Sequence, residues 1–378
     1  MIYLDYSATT KTDESVLDTF IKASREYLGN PNSLHKLGLE SKKLIDASTK
    51  QITGILKIKE NEIIYTSGAT EANNMAIFGT VNKYKNRGKR IISTHLEHSS
   101  VLECLNYLKS EGYEIDYVNI NKDGTINLND LEEKITKDTI LVTIASVNSE
   151  VGIHQNLKEI YTTIKNKNNI TLFHSDITQS IGKVNEDLNY VDLASLSAQK
   201  FYGIKGIGAL IKKNNIEIEP LIKGGKSTTK YRSGTPATAL IASLAKALRL
   251  AVETLEKDYE HVENLNKYLK IKLQKIKEIT INSTSACIPH ILNISIQNIK
   301  PETILHALEQ EEIYISTKTA CSTKDTLSLP VYTLTQDEML AKSSVRISIS
   351  KYTTKEELDL FTSVLKTKID SLNQLSKK

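Results

Sequence analysis

Short apolar runs alternate along this chain with segments whose apolar residues recur every three to four positions, and this alternation limits the fold more than any other feature. Strand-like runs occupy 62–65, 90–93, 140–144, 170–174, 193–196 and 208–211, with helical patterns at 71–86, 99–110 and 157–167 between them. Strands that follow one another through helices predict an α/β unit, a mostly parallel sheet covered on both faces. One long helical pattern from about 237 to 278, carrying Leu240, Leu244, Leu248, Val252, Leu255, Leu265 and Leu269, leads the chain out of that unit. Strands at 290–296, 313–316 and 344–350, mixed with helices at 301–310 and 354–374, then predict a smaller α+β unit. The first 14 residues read as strand and turn that pack with it. The expected division is 15–255 for the large unit, and 1–14 with 256–378 for the small one.

Composition narrows the classes. The 378 residues are 39% hydrophobic and 25% charged, a globular balance that excludes a disordered or fibrous chain. A net charge of +4 gives no electrostatic case for nucleic acid. No run approaches the length of a membrane span, and Met1 leads directly into Ile2-Tyr3-Leu4-Asp5 without a secretory pattern. The three cysteines, Cys104, Cys287 and Cys321, are far apart and form no disulfide framework, so a reducing cytoplasm is the expected setting.

Three motif-like stretches are decoys. Gly224-Gly225-Lys226-Ser227 resembles the end of a phosphate-binding loop, but Pro220 stands where that loop needs its first glycine. The glycines of 203–208 are in the wrong order for a dinucleotide fingerprint. His95 and His98 are three apart with no third ligand nearby, so no metal site is expected.

The informative residues sit just past successive strands, where open α/β sheets bind ligands. After 62–66 comes Ser67-Gly68-Ala69-Thr70-Glu71, a glycine before a helix start that offers free N–H groups to an anion. His98 follows the next strand, Asp176 and Gln179 follow 170–174, and Ser197, Gln199 and Lys200 follow 193–196. Singly these are caps and surface residues. Together, a lysine able to form an imine, an acid for a pyridinium proton and a phosphate cradle are the parts of a pyridoxal-phosphate site.

With these motifs in this order, the chain resembles the NifS/IscS-type cysteine desulfurases, fold-type-I pyridoxal-phosphate enzymes of the class-V aminotransferase family. The resemblance also rests on Tyr3-Leu4-Asp5-Tyr6-Ser7-Ala8-Thr9-Thr10, residues 29–35, Arg232-Ser233-Gly234-Thr235, Thr319-Ala320-Cys321 and Ser344-Val345-Arg346. It implies a seven-stranded sheet in the large unit, and a homodimer. It implies that Lys200 holds the cofactor and shuttles the Cα proton, that Asp176 pairs with the ring nitrogen, and that His98 lies over the ring and serves in acid–base steps. Gln179 would meet the phenolic oxygen. The phosphate would rest on Ala69, Thr70, Ser197 and Gln199, with Thr235 reaching in from the other subunit. Asn148 and Ser149 would contact the cofactor, and Arg346 and Asn32 the substrate. Arginine suits a carboxylate because its fork binds both oxygens.

Cys321 lies in a polar stretch, 316–325, without apolar periodicity, whereas Cys104 fits a buried helical face. The resemblance makes Cys321 the residue that takes sulfur from L-cysteine as a persulfide, leaving L-alanine, and passes it to a sulfur-acceptor protein for iron–sulfur clusters, tRNA thiolation or a thiamin-type pathway. Another pyridoxal-phosphate reaction, such as a selenocysteine lyase or an aminotransferase, is the alternative, followed by a degenerate sulfur-transfer scaffold. The chain departs from the family pattern at Gln199 (usually His), at Ser149 (usually Asn) and at 226–229. Gln199 keeps a hydrogen-bond donor for phosphate but cannot titrate.

Overall fold

The structure, a computed structural model, describes residues 1–225, 227–317 and 327–375. Lys226, Thr319, Ala320 and Cys321 therefore lie outside the described residues. Strand β1 (Ile2–Tyr3) precedes seven strands that form one sheet: β2 (Ile63–Thr66), β3 (Arg90–Ser93), β4 (Glu114–Tyr117), β5 (Thr139–Thr143), β6 (Leu172–Asp176), β7 (Leu193–Ser197) and β8 (Gly208–Lys212). Their order is β2-β8-β7-β6-β5-β3-β4. The five strands from β7 to β4 are mutually parallel, and β8 runs antiparallel to both β7 and β2. The expected mostly parallel sheet is present.

Consecutive residues of each strand feed opposite cores, as a period of two demands. Ile64, Ile91, Leu141, Leu172, Leu193 and Leu210 pack under helices Ala69–Tyr84 and Ser99–Ser110. Their neighbours Ile63, Ile92, Val142, Phe173, Ala194 and Ile211 pack against helices Lys36–Leu56, Leu157–Lys167 and Thr238–Glu253. Burial on both faces makes these strands read as continuous apolar runs, and each large side chain so buried contributes roughly 1.5–3 kcal/mol.

The long pattern of 237–278 is two helices, Thr238–Glu253 and Leu255–Leu273, meeting at Thr254. The Thr254 hydroxyl donates to Leu250 O at 3.1 Å, and such back-bonding bends helices. The first helix belongs to the large core. The second supplies Val262, Leu265, Leu269 and Leu273 to a separate core with β9 (Ile279–Ile281), β10 (Ile291–Ile296), β11 (Ile313–Tyr314) and β12 (Ser344–Ser348). On that change of core we propose the division between the two units near residue 255.

Strand β1 pairs with β11, and Ile2 and Leu4 are buried in the small core. Edge strands β4 and β9 do not register as strands in the sequence, β4 because charged residues interrupt it (Glu114-Ile115-Asp116-Tyr117) and β9 because it is only 3 residues long. Among the described residues, no helix is long and apolar enough to cross a membrane.

Candidate active site

A cavity of about 430 Å³ opens beyond the ends of β2, β6 and β7, bounded on the other side by Asp5, Ser7, Ala8 and Arg346. At its β2 end the chain leaves Thr66, passes Ser67 and Gly68, and starts helix Ala69–Tyr84 with no side-chain cap. The first N–H groups of that helix are left to a ligand, and the helix dipole favours an anion. Thr70, Ser197 and Gln199 line the same end. Gly208 permits this turn: a Cβ there would collide with Leu196 O and lie 2.7 Å from Gly68 Cα. Glu71 would repel an anion, but Arg232 Nε donates to it at 2.9 Å and Ser67 N at 2.7 Å. Burial alone would raise the Glu71 pKa; these donors outweigh it and hold the pKa below its ordinary value.

At the centre, buried Asp176 ends β6. Asn73 Nδ2 donates to its Oδ2 at 2.8 Å and Thr178 N to its Oδ1 at 2.9 Å. Asn73 Nδ2 also donates to Ser100 Oγ at 2.9 Å, which joins the acid to the loop bearing His98. His98 caps helix Ser99–Ser110, its Nδ1 accepting from Ser100 N at 3.1 Å. A backbone N–H only donates, so Nδ1 is unprotonated and the ring proton sits on Nε2. Burial lowers the His98 pKa, with Asp176 opposing and Lys200 reinforcing the shift. Glu97, the preceding residue, is buried and accepts from Ala145 N at 3.0 Å and from Thr94 Oγ1 at 2.7 Å. Its desolvation outweighs those donors and raises its pKa to about 8, with Asp176 adding to the rise.

Lys200 faces Asp176 across the cavity. Its Nζ donates to Ser7 O at 2.8 Å and Ala8 O at 2.6 Å, two carbonyls of the N-terminal segment. Burial lowers its pKa to about 8; Arg346 adds to the drop while Asp176 and Asp5 oppose it. A neutral amine able to attack an aldehyde is therefore accessible near neutral pH. Arg346, on β12, donates to Ser149 O at 2.9 Å and to Asp5 Oδ1 at 2.7 Å, while its buried Nε has no partner among the described residues.

The structure thus gathers Ala69, Thr70, His98, Ser149, Asp176, Gln179, Ser197, Gln199, Lys200 and Arg346 around one space. Three expected residues are not on its wall. Asn148 is a correction: its amide donates to Leu96 O and accepts from Glu150 N and Val151 N, so it is consumed in shaping a turn. Asn32 is exposed and outside the cavity. Thr235 lines a separate groove with Phe20, Tyr27 and Leu240. Cys321 lies outside the described residues. Burial raises the pKa of Cys104 to about 11 and also raises that of Cys287, which suits inert thiols. Asp5, Ser7, Ala8 and Asn73 are site residues without an assigned role in the sequence reading. The only local signals are the hydroxyl residues Ser7, Thr9 and Thr10 after a strand and one asparagine on an otherwise small, apolar helix face. An uncapped helix start, a buried amine of lowered pKa and a braced acid fit a phosphate-bearing aldehyde with a basic ring, as pyridoxal phosphate is.

The model of the family described as Aminotransferase class-V matches residues 2–361. A mitochondrial cysteine desulfurase of Eremothecium gossypii is 37% identical over 99% of this chain and 77% of its own length. The cysteine desulfurase IscS of Buchnera aphidicola is 38% identical over 99% of this chain and 94% of its own. A solved structure titled as a NifS-like protein superposes with a TM-score of 0.91 at 34% identity, covering 97% of this chain and 98% of that one. A structure described as SspA in complex with cysteine reaches a TM-score of 0.82 at 28% identity, covering 94% of this chain and 100% of that one.

Proposed function

This chain belongs to the class-V aminotransferase family, and we infer from that membership and the cavity's residues that it is a cysteine desulfurase. It takes sulfur from L-cysteine, releases L-alanine and carries the sulfur as a persulfide on Cys321. The observation that carries this reading is the convergence of Lys200, Asp176, His98 and Arg346 on one cavity beside an uncapped helix start.

Pyridoxal phosphate, bound there, supplies an aldehyde for the substrate amine and a protonated ring that draws charge from Cα. The free N–H groups after Gly68, with Thr70, Ser197 and Gln199, hold its phosphate. Asp176, braced by Asn73 and Thr178, keeps a proton on the ring nitrogen. Lys200 tethers the cofactor at rest and afterwards removes the Cα proton, a task that its lowered pKa favours. Arg346 turns its fork to the substrate carboxylate. His98 presents Nε2–H to the substrate thiol. The Cys321 thiolate forms a bond to the substrate sulfur as the sulfur–carbon bond breaks, and the carbon regains a proton.

The protein works as a homodimer in the cytoplasm. Thr235 completes the phosphate site of the second copy. Support comes from its position outside the cavity of its own chain and from Leu28, which lines the same groove and is 83% exposed. An acceptor protein then receives the sulfur, for iron–sulfur assembly, tRNA thiolation or a thiamin-type pathway. The modest net charge gives no case for direct contact with RNA.

The test is to supply purified protein with pyridoxal phosphate, L-cysteine and a reductant. Wild type should turn yellow and release alanine and sulfide in equal amounts. Cys321→Ala should keep the colour and lose sulfide release, and Lys200→Ala should lose the covalently held colour. Full sulfide release by Cys321→Ala, or keto-acid in place of alanine, would overturn the reading.

A further inference from the structure

One buried cation takes no part in the steps above. Lys183 is 8% exposed, just behind the cavity wall, and its Nζ donates to Gln179 Oε1 at 2.8 Å. Among the described residues this is its only hydrogen bond. Gln179 lines the cavity, and its Nε2 donates to Ser7 O at 2.8 Å. Ser7 O also accepts from Lys200 Nζ, so Lys183, Gln179, Ser7 and Lys200 form one connected chain. Gly182, at φ +73°, turns the backbone immediately before Lys183, and a Cβ there would press on Ala251 and Phe201 at 3.0 Å.

A glutamine carboxamide has two ends of nearly equal shape, and its neighbours decide which faces where. Here the Ser7 carbonyl is unambiguous at every pH, and Lys183 is so in its charged form. An ammonium only donates and a carbonyl only accepts. Rotating the amide by half a turn would set N–H against N–H at Lys183 and oxygen against oxygen at Ser7. A methionine would fill the same space without adding an amine near Lys200 and Arg346. The charged groups that act on Lys183 are those two, and His290 is held neutral by its own burial. Burial, reinforced by Lys200 and Arg346, lowers the Lys183 pKa to about 7; the neutral amine can also accept, and Ser7 O, which only accepts, then keeps the amide from rotating.

We propose that Lys183 is a positioning residue: it fixes the Gln179 carboxamide so that a donor, never an acceptor, faces the cofactor ring's oxygen. This deepens the pyridoxal-phosphate reading and rests on it. The second N–H of Gln179 Nε2 is thereby reserved for the phenolic oxygen, whose electron density sets the colour of the bound cofactor.

The experiment records visible spectra and the rate of cofactor loss to excess phosphate for full-length wild type, Lys183→Met, Gln179→Ala and the double variant. Lys183→Met should shift the visible band in the same direction as Gln179→Ala and release cofactor about tenfold faster. The double variant should shift no further than Gln179→Ala alone. Lys183→Gln, which keeps a donor, should restore the wild-type band, a rescue that lost packing would not produce; it also serves if Lys183→Met does not fold. A coloured wild type with an unchanged Lys183→Met band, fully additive shifts in the double variant, or failure of Lys183→Gln to restore the band would overturn the clamp alone. A wild type that never colours would overturn the cofactor reading, and the clamp with it.

Discussion

The side chains of this site act through what surrounds them more than through what they are. Lys200 is an ordinary amine whose burial lowers its pKa to about 8. Attack on an aldehyde needs the neutral form, so borohydride trapping of pyridoxal phosphate on Lys200 should rise with pH and level near 8. An exposed lysine would keep rising to about 10.4. A trapping rate still climbing steeply at pH 10 would remove the buried-amine argument. Glu97 gives the opposite case. Its folded pKa of about 8 lies above that of an unfolded glutamate. As pH rises between the two values, the unfolded chain loses a proton that the folded one keeps, and stability falls by up to ~1.4 kcal/mol per pH unit. Urea unfolding of apoprotein should therefore show Glu97→Gln gaining on wild type between about pH 5 and 8; a constant difference would contradict the buried acid. Arg346→Lys should raise KM for cysteine by about tenfold or more with a smaller change in kcat, since lysine cannot match both carboxylate oxygens. Steady-state kinetics checks this.

Elements matter here by where they begin. Helix Ala69–Tyr84 starts uncapped at Gly68, and Gly208 on β8 lets that turn pack directly against the strand. Gly208→Ala should cost about 1–3 kcal/mol by overpacking and loosen cofactor retention as well. Gly54, in helix Lys36–Leu56, is exposed, and a methyl group added there would meet nothing within 4 Å, so Gly54→Ala should stabilise by about 0.5–1 kcal/mol through helix propensity. Thermal melts and cofactor titrations of the two variants separate a space-limited glycine from a tolerated one. The ends of β6 and β7 were legible as ligand positions because polar residues follow buried apolar strands there. The bend at Thr254 was not: the apolar spacing runs straight through it, and what marks the break is Thr254's non-helical backbone (φ −107°, ψ 4°) with its hydroxyl bonds to Leu250 O and Asp258.

At the scale of the whole molecule, the first ten residues join the two cores. Ile2 and Leu4 sit in the small core, Asp5 pairs with Arg346, and Ser7 and Ala8 hold Lys200. Leu4, fully buried, should cost about 2–5 kcal/mol when replaced by alanine. Because the same segment carries the lysine's acceptors, Leu4→Ala should also slow cofactor capture by Lys200. Calorimetry alongside borohydride trapping tests the link, and a destabilised variant with wild-type trapping kinetics would break it.

Fold class and the order of site residues were determined by the sequence alone, because both are local. A period of two or three to four is set by backbone geometry, and a polar residue after a buried strand must emerge at the sheet's edge. Tertiary structure alone decided which groups touch. Arg346 finds Asp5 across 341 positions and Lys200 finds Ser7 across 193, while Asn148 is turned to backbone partners and away from the cavity. Such contacts depend on how the two cores pack, and no spacing along the chain records that packing.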